Sequence, residues 1–230
     1  MRYITAVLFC LAFVQVTAAK ETIVLAAEDS WPPYSDKAGN GISKKLIQAA
    51  LAASQFEVEF IAVPYARALE LTEHGLVNGC FNVTRQADTE QRFLFGEQVL
   101  LIAQASYYYP SDKPKSYQSP AQIPDATRIG LIRGYEYGNA YEQHRHRFQE
   151  LRVSTQEQLV SLLRAQRIDM AIMFDKVATH TLEAMALPDN SITKGELNHQ
   201  SDIYVAFSRK LPISNKIIKA LDGGLEKLKK

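Results

Sequence analysis

Thr22–Ala27 (TIVLAA) is a short, nearly unbroken apolar run, the pattern of a strand buried on both faces of a parallel sheet. After a turn at Gly39–Gly41, Ile42, Leu46, Ile47, Ala50 and Leu51 recur at helical spacing and predict a helix of about three turns. Val58, Phe60 and Ala62 alternate with Glu57, Glu59 and Ile61, which predicts a second strand. Pro64 opens a helix through Leu69 that His74-Gly75 closes. Leu76–Val83 reads as a third strand. It delivers the polar turn inside Gly79–Phe95, GCFNVTRQADTEQRFLF. Phe93–Phe95 and Val99–Tyr109 carry the chain on through apolar and aromatic residues, and from Pro110 to Pro124 the composition shifts to Ser, Pro, Lys, Asp and Gln.

The pattern then repeats. Arg128–Ile132 is a strand, followed by the turn Arg133–Gly138 and a helix through about Phe148. Ser154-Thr155-Gln156-Glu157 has the form of a capping box ahead of the stripe Leu159, Leu162 and Leu163. Ile168–Phe174 is a buried strand with Asp175 opening the next helix, Ile203–Phe207 a last strand, and Ile213–Leu228 a final amphipathic helix. Strands alternating with helices in two halves predict an α/β protein of two lobes.

The N-terminus adds a location. Arg2 precedes an apolar run from about Ile4 to Val16, too short for a comfortable membrane span, and Thr17-Ala18-Ala19 supplies a small-residue exit. A signal peptide over residues 1–19 and a bacterial periplasmic protein are expected. Phe9 ahead of Cys10 is wrong for a lipoprotein cleavage site. Cys80 is then the one cysteine left, which rules out an internal disulfide and fits a buried thiol. A formal net charge of +1 implies no nucleic-acid partner.

The familiar catalytic signatures are absent from the sequence: no nucleotide-binding glycine loop, GxSxG, HExxH or CxxC. No metal site or cofactor is expected. His144 and His146, two apart on a helix, point to different faces and read as solvated. What remains is a set of groups at the expected carboxyl ends of strands, where α/β proteins bind ligands. Trp31 and Tyr34 follow the first strand and Tyr65 heads a helix. Asn82, Thr84 and Arg85 follow the third strand. Arg133, Tyr135 and Tyr137 lie on the second half's first turn, and Asp175 ends its last buried strand. Aromatic walls with a few fixed polar groups suit a small molecule, an arginine suits a carboxylate, and a carboxylate suits an ammonium group. Each residue also has a plainer role: Trp31 as a lid on the core, Asp175 as an N-cap, Arg85 as a surface charge, and Tyr107–Tyr109 as hinge packing.

The order of these motifs resembles the family 3 solute-binding proteins of bacterial amino-acid uptake systems. It runs over WPPY after strand one, VPYARAL, the NVTR…Phe95 loop, IRGYEYG and RIDMAIMFD. The resemblance implies a two-lobed periplasmic-binding-protein-like (type II) fold whose crossover strands, near Ala103–Tyr109 and Asp202–Phe207, form the hinge. Lobe one would comprise residues 20–106 and 204–230, and lobe two residues 107–203. The family's aromatic after strand one falls on Trp31, with Glu28 as acidic neighbour, and its helix-start aromatic on Tyr65. Its carboxylate-binding threonine falls on Thr84 and its ammonium-binding aspartate on Asp175. Two positions depart: the family's carboxylate arginine is replaced by Thr89, leaving Arg85 as the nearest substitute, and the small second-lobe turn by Gly134-Tyr135-Glu136-Tyr137.

The expected function is capture of a small polar or amino-acid-like ligand between the lobes, by a monomer without catalysis, for an inner-membrane ABC permease or a sensor. Arg85 and Thr84 would hold an anionic group, Asp175 a cationic one, and Trp31, Tyr65 and Tyr135 the body. The alternative implied by the resemblance is a periplasmic enzyme on the same scaffold, similar to cyclohexadienyl dehydratases, with Glu28, Glu136 or Asp175 as general acid.

Overall fold

The computed structural model describes residues 20–229; the expected signal peptide, including Cys10, lies outside the described residues. One mixed sheet runs through the molecule. Its strands are β1 (Glu21–Glu28), β2 (Phe56–Val63), β3 (Gly79–Thr84), β4 (Phe93–Phe95), β5 (Leu101–Pro110), β6 (Arg128–Ile132), β7 (Gln149–Val153), β8 (Met170–Phe174) and β9 (Ile192–Ser208). The spatial order is β2-β1-β3-β9-β5-β8-β6-β7, with β4 also paired to β9. At one end β1 lies between β2 and β3, parallel to both; at the other β6 lies between β7 and β8, again parallel. Antiparallel β5 and β9 join these two parallel blocks, paired from Leu101↔Ile203 to Pro110↔Ile192 with register shifts around Ser106. The boundaries expected at 106/107 and 203/204 fall within these two strands.

The helices are α1 (Ile42–Leu51), α2 (Tyr65–Glu73), α3 (Ala87–Arg92), α4 (Asn139–His144), α5 (Gln156–Arg164), α6 (Asp175–Ala184) and α7 (Ser214–Leu228). The apolar stripes of α1 and α7, including Ile47, Ile217 and Leu221, bury one face of the first block against Leu25, Phe81 and Phe207. A second core is continuous from Leu69 of α2, past Tyr107 and Tyr109 of β5, to Leu131 and Leu159. Among the described residues no helix is long and apolar enough to cross a membrane.

Four local expectations are corrected. The third strand starts at Gly79, because Leu76–Asn78 form a bend in which Leu76 is 68% exposed while Val77 turns into the core. The helix expected through Phe148 ends at His144, followed by a 3-10 turn at Arg145–Arg147 and then β7. QELRV carries no apolar run because β7 is an edge strand paired on one side only. The cap of α5 sits one residue later than expected: the Thr155 side chain accepts from Gln158 N–H and the Gln158 side chain accepts from Thr155 N–H. The last strand begins at Ile192, not Ile203, and its first half is partly exposed, so its polar residues hide it from an apolar count.

Candidate functional site

The carboxyl end of β1 delivers Glu28, and the loop after it folds back on itself. Trp31 N–H donates to the Ser35 carbonyl at 3.1 Å and Tyr34 N–H to the Trp31 carbonyl at 2.9 Å. This turn drives the Trp31 ring inward, 4.4 Å from Tyr34 and edge-on to Phe174 at 5.1 Å. Asn82 holds the same loop from below: its side chain donates to Ser35 Oγ at 2.9 Å and accepts from Ser43 Oγ at 2.5 Å. All three residues are buried, so Asn82 is a scaffold of the site.

From the other half, the turn after β6 presses onto the first turn of α2. Gly134 has φ +82°, and a Cβ there would lie 3.3 Å from the Tyr65 ring, so this position requires glycine on both counts. The close approach places Tyr135 edge-on to Tyr65 at 4.9 Å. The Tyr135 hydroxyl donates to Glu28 Oε1. Gln156, first residue of α5, donates from Nε2 to the Tyr135 hydroxyl at 3.5 Å and from its backbone N–H to Ser30 Oγ at 3.3 Å. Phe174 at the end of β8 completes the group between Trp31, Tyr135 and His199.

Of the residues singled out in the sequence, Glu28, Trp31, Tyr65 and Tyr135 are therefore brought together. Ser30, Gln156, Phe174 and His199 join them without having been anticipated. Thr84 is buried near the end of β3, with its carbonyl accepting from Thr89 Oγ1 at 2.7 Å. Thr89 also accepts from Gln86 N–H at 2.9 Å and is fully buried, so it pins the turn from inside.

Three groups stand elsewhere. Arg85 is exposed, pairs with Glu90 at 2.7 Å and lies over the rings of Phe95 and Tyr204. Its guanidinium is held by these local partners, on the side of β4 and β9. Arg133 is also exposed and donates to the Arg152 carbonyl at 3.3 Å. Asp175 sits at the rim, in a depression of about 240 Å³ with Tyr34, Gln104 and Gln200. It accepts from the Tyr108 hydroxyl at 3.1 Å and pairs with Lys194 at 2.8 Å. Its side chain makes no capping bond to α6, and Tyr108 is a partner of Asp175 as well as core packing.

The electrostatics of the group follow from burial. Glu28 is 2% exposed. Loss of water pushes its carboxyl up to about 8, against the opposing Tyr135 hydrogen bond and with help from the charges of Asp29 and Glu136. Half-buried Glu136 is likewise pushed up to about 8, chiefly by burial. Tyr65 and Tyr135 rise well above the usual phenol range, by burial first and by nearby carboxyl groups second. Burial lowers His199 to about 4, so its ring is neutral at pH 7. Four buried atoms of the group have no hydrogen-bond partner among the described residues: Glu28 Oε2, Gln156 Oε1, Trp31 Nε1 and His199 Nε2. Buried polar atoms are normally satisfied, so these are available to a ligand or ordered water. Among the described residues no cluster of His, Cys, Asp and Glu could hold a metal ion, and Cys80 is a buried thiol pushed up to about 12 by desolvation.

No protein-family model and no curated protein matches the sequence. Solved structures do match in three dimensions. A histidine kinase sensor domain with similarity to periplasmic binding proteins superposes with a TM-score of 0.77 at 16% identity, covering 91% of each chain. An amino-acid ABC transporter substrate-binding protein from Streptococcus pneumoniae, bound to L-arginine, gives 0.74 at 17% identity, covering 90% of this chain and 89% of that one. An ancestral amino-acid-binding protein described as a precursor of cyclohexadienyl dehydratase gives 0.72 at 13% identity, covering 90% and 89%. With two parallel blocks joined by β5 and β9, and these neighbours spanning nine-tenths of the chain, the protein has the two-lobed α/β fold of the periplasmic binding proteins.

Proposed function

We propose that this is a periplasmic solute-binding protein that closes two lobes on a small polar or amino-acid-like ligand, as a monomer, for an ABC-type permease or a sensor. Residues 20–106 and 204–230 form one lobe and residues 107–203 the other. The observation that carries this reading is the group at the seam. Glu28, Ser30 and Trp31 from the first lobe meet Tyr135, Gln156 and Phe174 from the second, in aromatic surroundings with unpartnered polar atoms. Contacts made only when two lobes meet are what allow a ligand to shift a hinge equilibrium. The structural neighbours support it, since they include substrate-binding proteins and a sensor domain.

A thermal-shift panel of amino acids, amines and organic acids tests the proposal. A ligand at about a hundred times its Kd adds about 2.7 kcal/mol of stability. Saturable stabilisation by members of one chemical class supports binding; a flat response across the panel, with isothermal titration also silent, overturns it.

A second reading rests on the two carboxyl groups near 8, which hold protons at neutral pH as a general acid must. It makes the protein a dehydratase-like enzyme. Loss of a prephenate-like acid at catalytic protein concentrations would favour it; saturable binding without product excludes it.

A further inference from the structure

We propose a second ligand site at the end of the second lobe away from the seam, a cavity that receives a small carboxylic acid with a compact apolar body. It is separate from the group described above: Met170, which lines it, opens β8, whereas Phe174 at the other end of that strand meets Trp31. The cavity holds about 300 Å³, at the small end of the range for ligand pockets. Its floor is buried and largely apolar, made by Tyr109, Pro110, Ile168 and Met170. Gly195 of β9 supports that floor: a Cβ there would lie 2.5 Å from Tyr109 Cε2, so the ring rests directly on the backbone. The Tyr117 ring, 6.4 Å from that of Tyr109, forms a side wall.

The floor lacks an acceptor. Tyr109 is 0% exposed, and its hydroxyl has no hydrogen-bond partner among the described residues, although buried hydroxyls are normally satisfied. The Tyr117 backbone acts on its oxygen as a donor would, so what the hydroxyl lacks is an acceptor for its own proton. The exposed mouth carries an excess of positive charge, since its charged groups are Lys113, Lys115, Arg128 and Asp169. Asp169 is committed to Arg128, whose Nη2 and Nε donate to its two oxygens at 2.6 and 3.1 Å. Lys113 is held by the neutral side chain of Gln166, and Lys115 has no partner among the described residues. Two ammonium groups of the lining are therefore uncompensated. Asp112 and Glu196 lie outside the lining, where they accept from Gln166 Nε2 at 2.9 Å and Ser116 Oγ at 3.1 Å. Two ammonium groups above a hydroxyl in want of an acceptor suit a carboxylate, and the aromatic and aliphatic floor suits its body.

Titration of the isotope-labelled protein with benzoate, followed by NMR of the backbone amides, tests the proposal. Benzoate should move amides within residues 109–117 and 166–170 saturably. Benzylamine keeps the ring and reverses the charge, and acetate keeps the head without the body. Each should bind at least about tenfold more weakly than benzoate. Lys115→Ala changes an exposed side chain and should weaken benzoate by about fivefold. Tyr109→Phe should weaken it as well, with a melting temperature level with or above the parent's, because an unsatisfied buried hydroxyl is removed. No saturable movement of these amides, movement centred instead on Glu28 and Tyr135, or benzylamine binding as tightly as benzoate overturns the proposal. Benzoate affinity at the parent level in both variants overturns it too.

Discussion

The Tyr135 hydroxyl donates to the Glu28 carboxyl across 107 residues of sequence, from one half of the protein to the other, and both residues are buried. Tyr135→Phe keeps the ring packing on Tyr65 and Phe174 but leaves Glu28 with neither oxygen partnered. An unsatisfied buried acceptor of this kind costs about 1–3 kcal/mol. Urea denaturation should show a loss of that size with little change in the slope. A loss below about 0.5 kcal/mol would mean that the hydroxyl contributes nothing net to holding the halves together.

Glu28 and Glu136 set a pH dependence whose direction is fixed by their surroundings. Each holds its proton up to about 8 in the folded protein, against an ordinary value of 4.5. The folded state therefore binds more protons than the unfolded chain between those values. Their contribution is fully present below 4.5, falls as pH rises, and is lost above about 8. Denaturation midpoints should decline between about pH 5 and about pH 8, and Glu28→Gln should flatten the decline. A midpoint that rises over this interval would show that the two groups ionise freely in the folded protein.

Arg85→Ala should leave ligand affinity within about twofold, because its guanidinium is spent on Glu90 and on the rings of Phe95 and Tyr204. Stability should fall by at most about 1 kcal/mol, the range for an exposed pair. Thr89→Val is the informative partner. It removes the hydroxyl that joins the Thr84 carbonyl to Gln86 N–H and should cost about 1–3 kcal/mol as buried groups lose their partner. A strong affinity loss in Arg85→Ala with stability intact would return Arg85 to the ligand.

Gly134→Ala combines a left-handed backbone with a Cβ set 3.3 Å from the Tyr65 ring and 3.4 Å from Ala66 Cα. The backbone strain alone is about 1 kcal/mol, and relief requires the turn to back away from α2. That retreat would carry Tyr135 off Glu28, so weaker ligand binding should accompany the lower melting temperature. Affinity at the parent level in this variant would separate the turn from the site.

The sequence pattern was most legible where burial is two-sided or one-sided and regular. The apolar run of β1, the alternation of β2 and the stripes of α1 and α7 each state their own environment. It was blind at β7, whose five residues are polar or half-exposed at the sheet edge, and that gap had a cost at the site. With β7 recognised, Gln156 would have stood at the carboxyl end of a strand and entered the candidate set beside Tyr135. Glu28, Trp31, Tyr65 and Tyr135 could be picked out because each follows a strand or heads a helix in its own right. The surroundings of Arg85 were hidden for a different reason. Its partners Glu90, Phe95 and Tyr204 are assembled by the turn after β3 and by the pairing of β4 with β9, and no spacing rule reports them.

The pairing of Pro110 with Ile192 has a consequence for how this chain can be rearranged. Everything between those two residues leaves and returns at adjacent points, so the intervening stretch is a module grafted into a host whose own chain is otherwise continuous. Its two ends are already neighbours, and no extra closure entropy is needed to join them. A short linker across 110 and 192 would leave β1, β2 and β3 beside β9 undisturbed, and new ends opened in the exposed stretch around Lys113–Lys115 would preserve every strand. The same two strands that join the parallel blocks also make one of them an exchangeable part.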